Sequence, residues 1–204
     1  MEHDYSSFDV FSRTCLLFHS RHFECLTGYL LRAVWRQGLL PDIPEDHLRI
    51  LSKASSLHDI GKCALSEQIV NCTTKLTRLE FEIMQQHTTL GAMMIDKALP
   101  ESFGQEFQCY AKEIALYHHE RWDGSGYPAG LKGTEIPTYV QVISIADAYD
   151  ALRTFRSYRP ALSHRKAVDM IVSGNCGEFA PQILAEFIAA IDAADLEIYE
   201  GGNT

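Results

Sequence analysis

No two of the six cysteines (Cys15, Cys25, Cys63, Cys72, Cys109, Cys176) form a C-x-x-C pair. That absence excludes a small disulfide framework and leaves no thiolate set to compete for a metal. Basic residues are also few, 18 against 27 acids, for a formal charge of -9. A general binder of nucleic-acid polymers or anionic membranes needs the opposite sign. The N-terminal MEHDYSSFDV has neither a basic segment nor an apolar stretch of the signal type. No apolar run is long enough to span a membrane, because Glu186, Asp192 and Asp195 break the one near the C-terminus. Alternating strand patterns, repeats and low-complexity tracts are missing too. A reduced, cytoplasmic protein is the simplest expectation.

What remains is helical. Apolar residues make up 46% of the 204, enough for one sizeable core. The spacing predicts a first helix over 22–36, ending near Gly38, and a second carrying Leu48, Leu51, Ala54 and Leu57. Thr77 and Glu80 have capping-box spacing and start a helix running to about His87. Another helix ends near His119, ahead of Gly124 and Gly126. Pro137 suits the first turn of the next, through Leu152; Ser163 caps one that stops at Gly174; Pro181 opens the last, which fades around Tyr199. The fold class is all-α, a compact helical bundle with short connections. Residues 1–18 read as an N-terminal stub or linker, and 19–200 as the domain.

Histidine placement carries the chemistry. His19, His22, His47, His58, His87, His118, His119 and His164 fall on or beside the expected helices. YHHERWDGSGYP (117–128) sets two side by side where a helix gives way to a glycine-broken loop. His58-Asp59 sits at another helix end, before Ile60-Gly61-Lys62. Asp147 shares a face with Val140 and Ile143, and a carboxylate there wants a cation or a hydrogen-bond network. Imidazole and carboxylate together suit iron, manganese, zinc or nickel better than calcium. Two metals sharing a carboxylate form a clamp for in-line displacement at phosphorus. Such a pair takes about six or seven ligands, which this chain supplies only from scattered helices. Spacing alone leaves blander readings open. HDIGK can be a helix end with a glycine stop, His118-His119 can be imidazolium complementing a helix dipole, and Asp147 can bond a neighbouring helix. His3, His47 and His164 are read as hydrogen-bonded structural residues.

HDIGK (58–62), MQQH followed by LG (84–91), HHERWDGSGYPAGLKG (118–133) and IADAYDAL (145–152), in that order, resemble the HD-GYP domain. That family is the subgroup of HD phosphohydrolases associated with bacterial cyclic di-GMP hydrolysis, and the likeness covers about residues 20 to 190. It implies an HD-type bundle with a short GYP loop at Gly126, Tyr127 and Pro128. It implies metal ligands at His22, His58, Asp59, His87, His118, His119 and Asp147, with Asp59 bridging two divalent ions, iron or manganese ahead of zinc or nickel. Lys62 matches a lysine that touches the substrate phosphate, so Asp59 and Lys62 are the expected catalytic pair. The implied reaction is attack of a metal-bridging hydroxide on cyclic di-GMP, giving pGpG and then GMP.

An acidic protein needs local positive charge to hold an acidic ligand. RTFRSYRPALSHRK (153–166) has five bases and no acid, and by the resemblance Arg156 and Arg159 grip the nucleotide. The chain also departs from the family. Phe18 stands where some members have a third-metal glutamate, so two metals are expected. Ser66 and Cys72-Thr73-Thr74 replace a proline and a Lys-Pro-Gly, which reshapes the 66–74 segment. Ala180 replaces an N-capping aspartate. Two other functions are weighed against the leading one: hydrolysis of another cyclic dinucleotide or nucleotide, and a non-catalytic signalling module. In the second, the GYP loop docks a partner protein such as a diguanylate cyclase domain. A homodimer is also expected as an option.

Overall fold

Helix α1 (Ser20–Arg36) turns Phe23, Leu26, Leu30, Leu31 and Val34 inward, a stripe at three- and four-residue steps. The computed structural model describes residues 20–155 and 160–200. The stub at 1–18, with Phe18 and His19, and the pair Arg156 and Arg159 lie outside the described residues. Helix α2 (His47–Ser55) lays Leu48, Leu51 and Ala54 against α1, and Leu57 is buried just past its end. The chain then makes a 3₁₀ turn (Ile60–Ala64) and a short α3 (Glu67–Val70), N-capped by the Ser66 hydroxyl.

The capping box at Thr77 and Glu80 is present and opens α4 (Arg78–Gln85). That helix ends at Gln85, capped by Gln86, close to the expected His87, and a separate helix, α5, follows over His87–Ala98. At the junction, His87 Nδ1 bonds the Met84 carbonyl (2.7 Å) and Thr88 Oγ1 bonds that of Gln85 (2.9 Å). Helix α6 (Gln105–Tyr117) packs on α5 and α2.

Helix α7 (Thr138–Arg153) starts one residue after Pro137 and is the hub. Val140, Val142, Ile143, Ile145, Ala146 and Tyr149 are buried on all its sides, as befits a helix surrounded by others. It contacts α1, α6, α8 (His164–Val172) and α9 (Pro181–Asp195). Ser163 caps α8, whereas Ala180 gives α9 no side-chain cap. A π-helical turn, Leu196–Glu200, follows α9. Among the described residues, extended pairing is limited to one isolated bridge, Asn175 with Gly177, so the fold is all-α.

Candidate metal centre

Three helices end within three residues of a histidine. His58 follows α2, His87 follows α4 and His118 follows α6. Each ring turns its Nδ1 back onto a carbonyl in the last turn of its own helix. His58 Nδ1 bonds Ser55 O (2.9 Å), His87 Nδ1 bonds Met84 O (2.7 Å), and His118 Nδ1 lies 3.0 and 3.1 Å from Ile114 O and Ala115 O. A carbonyl only accepts, so each Nδ1 carries a proton, and in the neutral ring Nε2 is the nitrogen that offers a lone pair. The three Nε2 atoms face one space. His87 Nε2 and His118 Nε2 stand 3.3 Å apart, two lone pairs with no proton of their own between them.

Carboxylates complete that space. Asp59 sits at the start of the 3₁₀ turn, and its two oxygens face different imidazoles. Oδ1 lies 3.4 Å from His87 Nε2 and 3.8 Å from His118 Nε2, and it is buried without a hydrogen-bond partner. Oδ2 lies 3.3 Å from His58 Nε2 and meets the Lys62 ammonium. Asp147 Oδ1 approaches His58 Nε2 at 3.6 Å. Ligand atoms of Asp59, His87, His118 and His119 all fall within 4.8 Å of one another. Several of these gaps exceed a good hydrogen bond, yet the groups point at a shared centre. An orphaned buried carboxylate oxygen between neutral imidazoles is where a cation fits, and the oxygen and nitrogen donor set suits iron, manganese, zinc or nickel.

Protonation agrees with that fit. Burial would raise Asp59, but the charges of Lys62 and His58 hold it well below the usual carboxylate range. Burial would likewise raise Asp147, and its contact with His58 holds it down. Burial pushes His87 and His118 down, and His119 down to about 3. Burial also disfavours a charged His58, but the Asp59 and Asp147 carboxylates outweigh it and raise the ring to about 10. Two anions and three neutral imidazoles are the forms that bind metal. The fourth ring shows how strongly the pocket draws positive charge.

The loop after His119 has its own scaffold. Glu120 is buried, and its carboxylate accepts from the backbone N–H groups of Ala129 (2.7 Å), Gly130 (3.1 Å) and Leu131 (3.0 Å). Gly126 crosses the 119–121 backbone so closely that a Cβ there would lie 2.4 Å from Glu120 Cα. Tyr127 is thereby laid over His119, ring centroids 4.8 Å apart, with Phe81 edge-on beyond it at 6.1 Å. Arg121 bonds the Cys176 and His118 carbonyls and the Ser144 hydroxyl, tying the centre to α7. Gly61 does the same for the opposite wall: a Cβ on it would lie 1.9 Å from the His87 carbonyl.

The structure therefore brings together His58, Asp59, His87, His118, His119 and Asp147, with Lys62 on Asp59 and Gly126, Tyr127 and Pro128 along one side. His22 lies 3.4 Å from Asp150 Oδ1 and edge-on to Tyr199. His47 bonds the Tyr110 hydroxyl, and His164 lies between Tyr149 and Asp192. The anchors Glu120, Arg121, Asp150 and Tyr199 were not singled out from the sequence. Glu120 follows the paired histidines directly, and that was the one available signal.

Comparison with known proteins agrees with this geometry. The family model described as "HD domain" matches residues 17–183. A cyclic di-GMP phosphodiesterase of Vibrio cholerae is 41% identical over 70% of this chain and 29% of its own length. One from Thermotoga maritima is 35% identical over 77% and 42%. A 3′3′-cGAMP-specific phosphodiesterase of Vibrio cholerae is 34% identical over 73% and 28%. The chain thus spans about 28–42% of the length of these relatives. A solved HDG"Y"P protein from Bdellovibrio bacteriovorus, Bd1817, shares the fold with a TM-score of 0.63 at 17% identity, over 85% of this chain and 52% of that one. Among the described residues no helix is long and apolar enough to cross a membrane. With the helical bundle and the histidine–aspartate cluster in place, the chain belongs to the HD domain family and is related to the HD-GYP cyclic di-GMP phosphodiesterases.

Proposed function

We propose that this domain hydrolyses a phosphodiester bond of a cyclic dinucleotide, with cyclic di-GMP as its substrate and linear pGpG as the first product. The observation that supports this most is the Asp59 carboxylate, whose oxygens face two separate imidazole sets, His87 and His118 on one side and His58 on the other. That division suits two cations sharing one bridging carboxylate, and we read them as iron or manganese. Such ions supply Lewis-acid charge to a phosphoryl oxygen. Residues of the chain do the rest. His87, His118, His119 and Asp59 would hold one ion, His58 and Asp147 the other, and His22 is assigned to the second by its match to the family's upstream histidine. Lys62, held on Asp59, is placed to balance charge developing on a non-bridging phosphate oxygen. Arg156 and Arg159 are assigned to the nucleotide by their place after α7 and by arginine's match to phosphate and guanine. The bond from phosphorus to the 3′-oxygen breaks, and water's oxygen remains on the 5′-phosphate.

A second substrate is favoured by one observation. Proteins named as 3′3′-cGAMP-specific phosphodiesterases are 33–36% identical to this chain, overlapping the range of those named for cyclic di-GMP. A panel of cyclic di-GMP, 3′3′-cGAMP and cyclic di-AMP at equal concentration, with iron- or manganese-loaded protein, separates the two. The doubly substituted His58→Ala/Asp59→Ala chain should keep its helicity and lose turnover. Absence of turnover on every member of the panel, or full turnover in the double variant, overturns the proposal.

A further inference from the structure

Helix α7 carries a second inward carboxylate, the buried Asp150, one turn past the partly buried Asp147. Asp147 faces His58, whereas Asp150 faces His22 on α1, with His22 Nε2 3.4 Å from Asp150 Oδ1. The same oxygen accepts a hydrogen bond from the Tyr199 hydroxyl at 2.8 Å. Tyr199 lies in the turn after α9, beyond residue 183 where the family match stops. Its ring is clamped on two sides. The His22 ring meets it edge-on at 4.1 Å, and the Arg153 guanidinium sits over it at 4.8 Å. Arg153 is itself fixed, forking onto Asp195 (2.8 and 3.1 Å) and bonding the Leu162 carbonyl (2.8 Å). The hydroxyl is thus delivered to Asp150 by a braced C-terminal end. Burial and the Asp150 charge both raise the Tyr199 phenol, so it stays a donor. The network also borders the metal centre. The residue after His22, Phe23, packs on the His58 ring with centroids 4.6 Å apart.

We propose that Tyr199 is a positioning residue for the metal centre: it fixes Asp150, and Asp150 fixes the orientation of His22 at the α1 edge. The inference rests on the two-cation reading above. A carboxylate beside a ligand histidine sets the orientation and basicity of the ring, here through the 3.4 Å approach of Asp150 Oδ1 to His22, and losing such a partner typically costs about 10–100-fold in metal affinity. Without the hydroxyl, Asp150 loses a charge-assisted bond that holds the oxygen facing His22. A merely structural staple between the C-terminal turn and α7 predicts something different: the phenyl ring, not the hydroxyl, would matter.

The test is calorimetric titration of the full, metal-stripped chain with manganese(II). The variants are Tyr199→Phe, which keeps the ring and its contacts, Asp150→Asn, and His22→Ala as reference. Wild-type protein should bind two ions. Tyr199→Phe and Asp150→Asn should weaken by about tenfold or more the same ion that His22→Ala weakens, leaving the other unchanged and the thermal midpoint of Tyr199→Phe close to wild type. Two ions of unaltered affinity in Tyr199→Phe overturn the inference and leave the two-cation reading standing. Equal weakening of both ions together with a lowered thermal midpoint also overturns it, in favour of the staple. Fewer than two ions in the wild-type chain overturn the two-cation reading, and the inference falls with it.

Discussion

Replacing Glu120 by glutamine exchanges one carboxylate oxygen for an amide group at the base of the 124–131 loop. In the native protein Oε1 accepts from Ala129 and Gly130, and Oε2 from Leu131. The amide oxygen can keep the first two bonds without the benefit of charge, at a cost of about 0.5 kcal/mol each. The NH₂ group then opposes the Leu131 N–H, donor against donor, and an unsatisfied buried donor costs about 1–3 kcal/mol. The sum is about 3 kcal/mol, or about 6–12 °C in the melting midpoint for a domain of this size. Hydrogen exchange should report the change locally, with the amides of 129–131 losing protection while those of α1 and α7 keep theirs. Tyr127, which that loop lays on His119, should loosen with it. A stability change under about 1 kcal/mol, with the 129–131 amides as protected as before, would refute the view that Glu120 builds this wall of the site.

Three further outcomes follow from the same geometry. Gly61→Ala places a Cβ against the His87 carbonyl, backbone against backbone, and should cost about 3 kcal/mol or more and release bound metal together with soluble yield. In chelator-stripped protein, stability measured by urea unfolding should peak near neutral to weakly acid pH. His58 is raised to about 10, so its contribution is complete below the unfolded value of 6.5 and is lost as pH climbs to 10; His58→Gln should flatten that limb. His119 is lowered to about 3, so stability should also fall as pH drops from 6.5 towards 3, and further below 3.8 as Asp59 and Asp147 protonate. Asp59→Asn keeps the shape but removes the shared anion, and elemental analysis should find bound metal reduced to less than half the wild-type content.

The helices were legible because their causes are local. Thr77 and Glu80 cap α4 as their spacing requires, Ser163 caps α8, and the three- and four-residue steps of α1 and α2 point at the core. Helix α5, which follows at once, was not legible, because Gln86 makes no side-chain cap bond that would mark a new start. The candidate centre could be assembled from the sequence only through the HD-GYP resemblance. Spacing by itself could not bring residues 58, 87, 118 and 147 together, since they come from different helix ends and meet through tertiary packing. A physical signal was nonetheless present: each of three histidines follows the last turn of a helix, whose carbonyls can fix one ring nitrogen and aim the other. The holders of the site were harder to see. Asp150 and Tyr199 are 49 residues apart, and nothing in either neighbourhood announces the bond between them.

Metal content bears on all of this most directly. Protein purified anaerobically, then desalted and measured by elemental analysis, should retain about two equivalents of iron or manganese per chain, and His58→Ala/Asp59→Ala should retain close to none. A wild-type chain that holds no transition metal after reconstitution, or a double variant that holds as much as the wild type, would contradict the assignment of these histidines and aspartates to a metal centre.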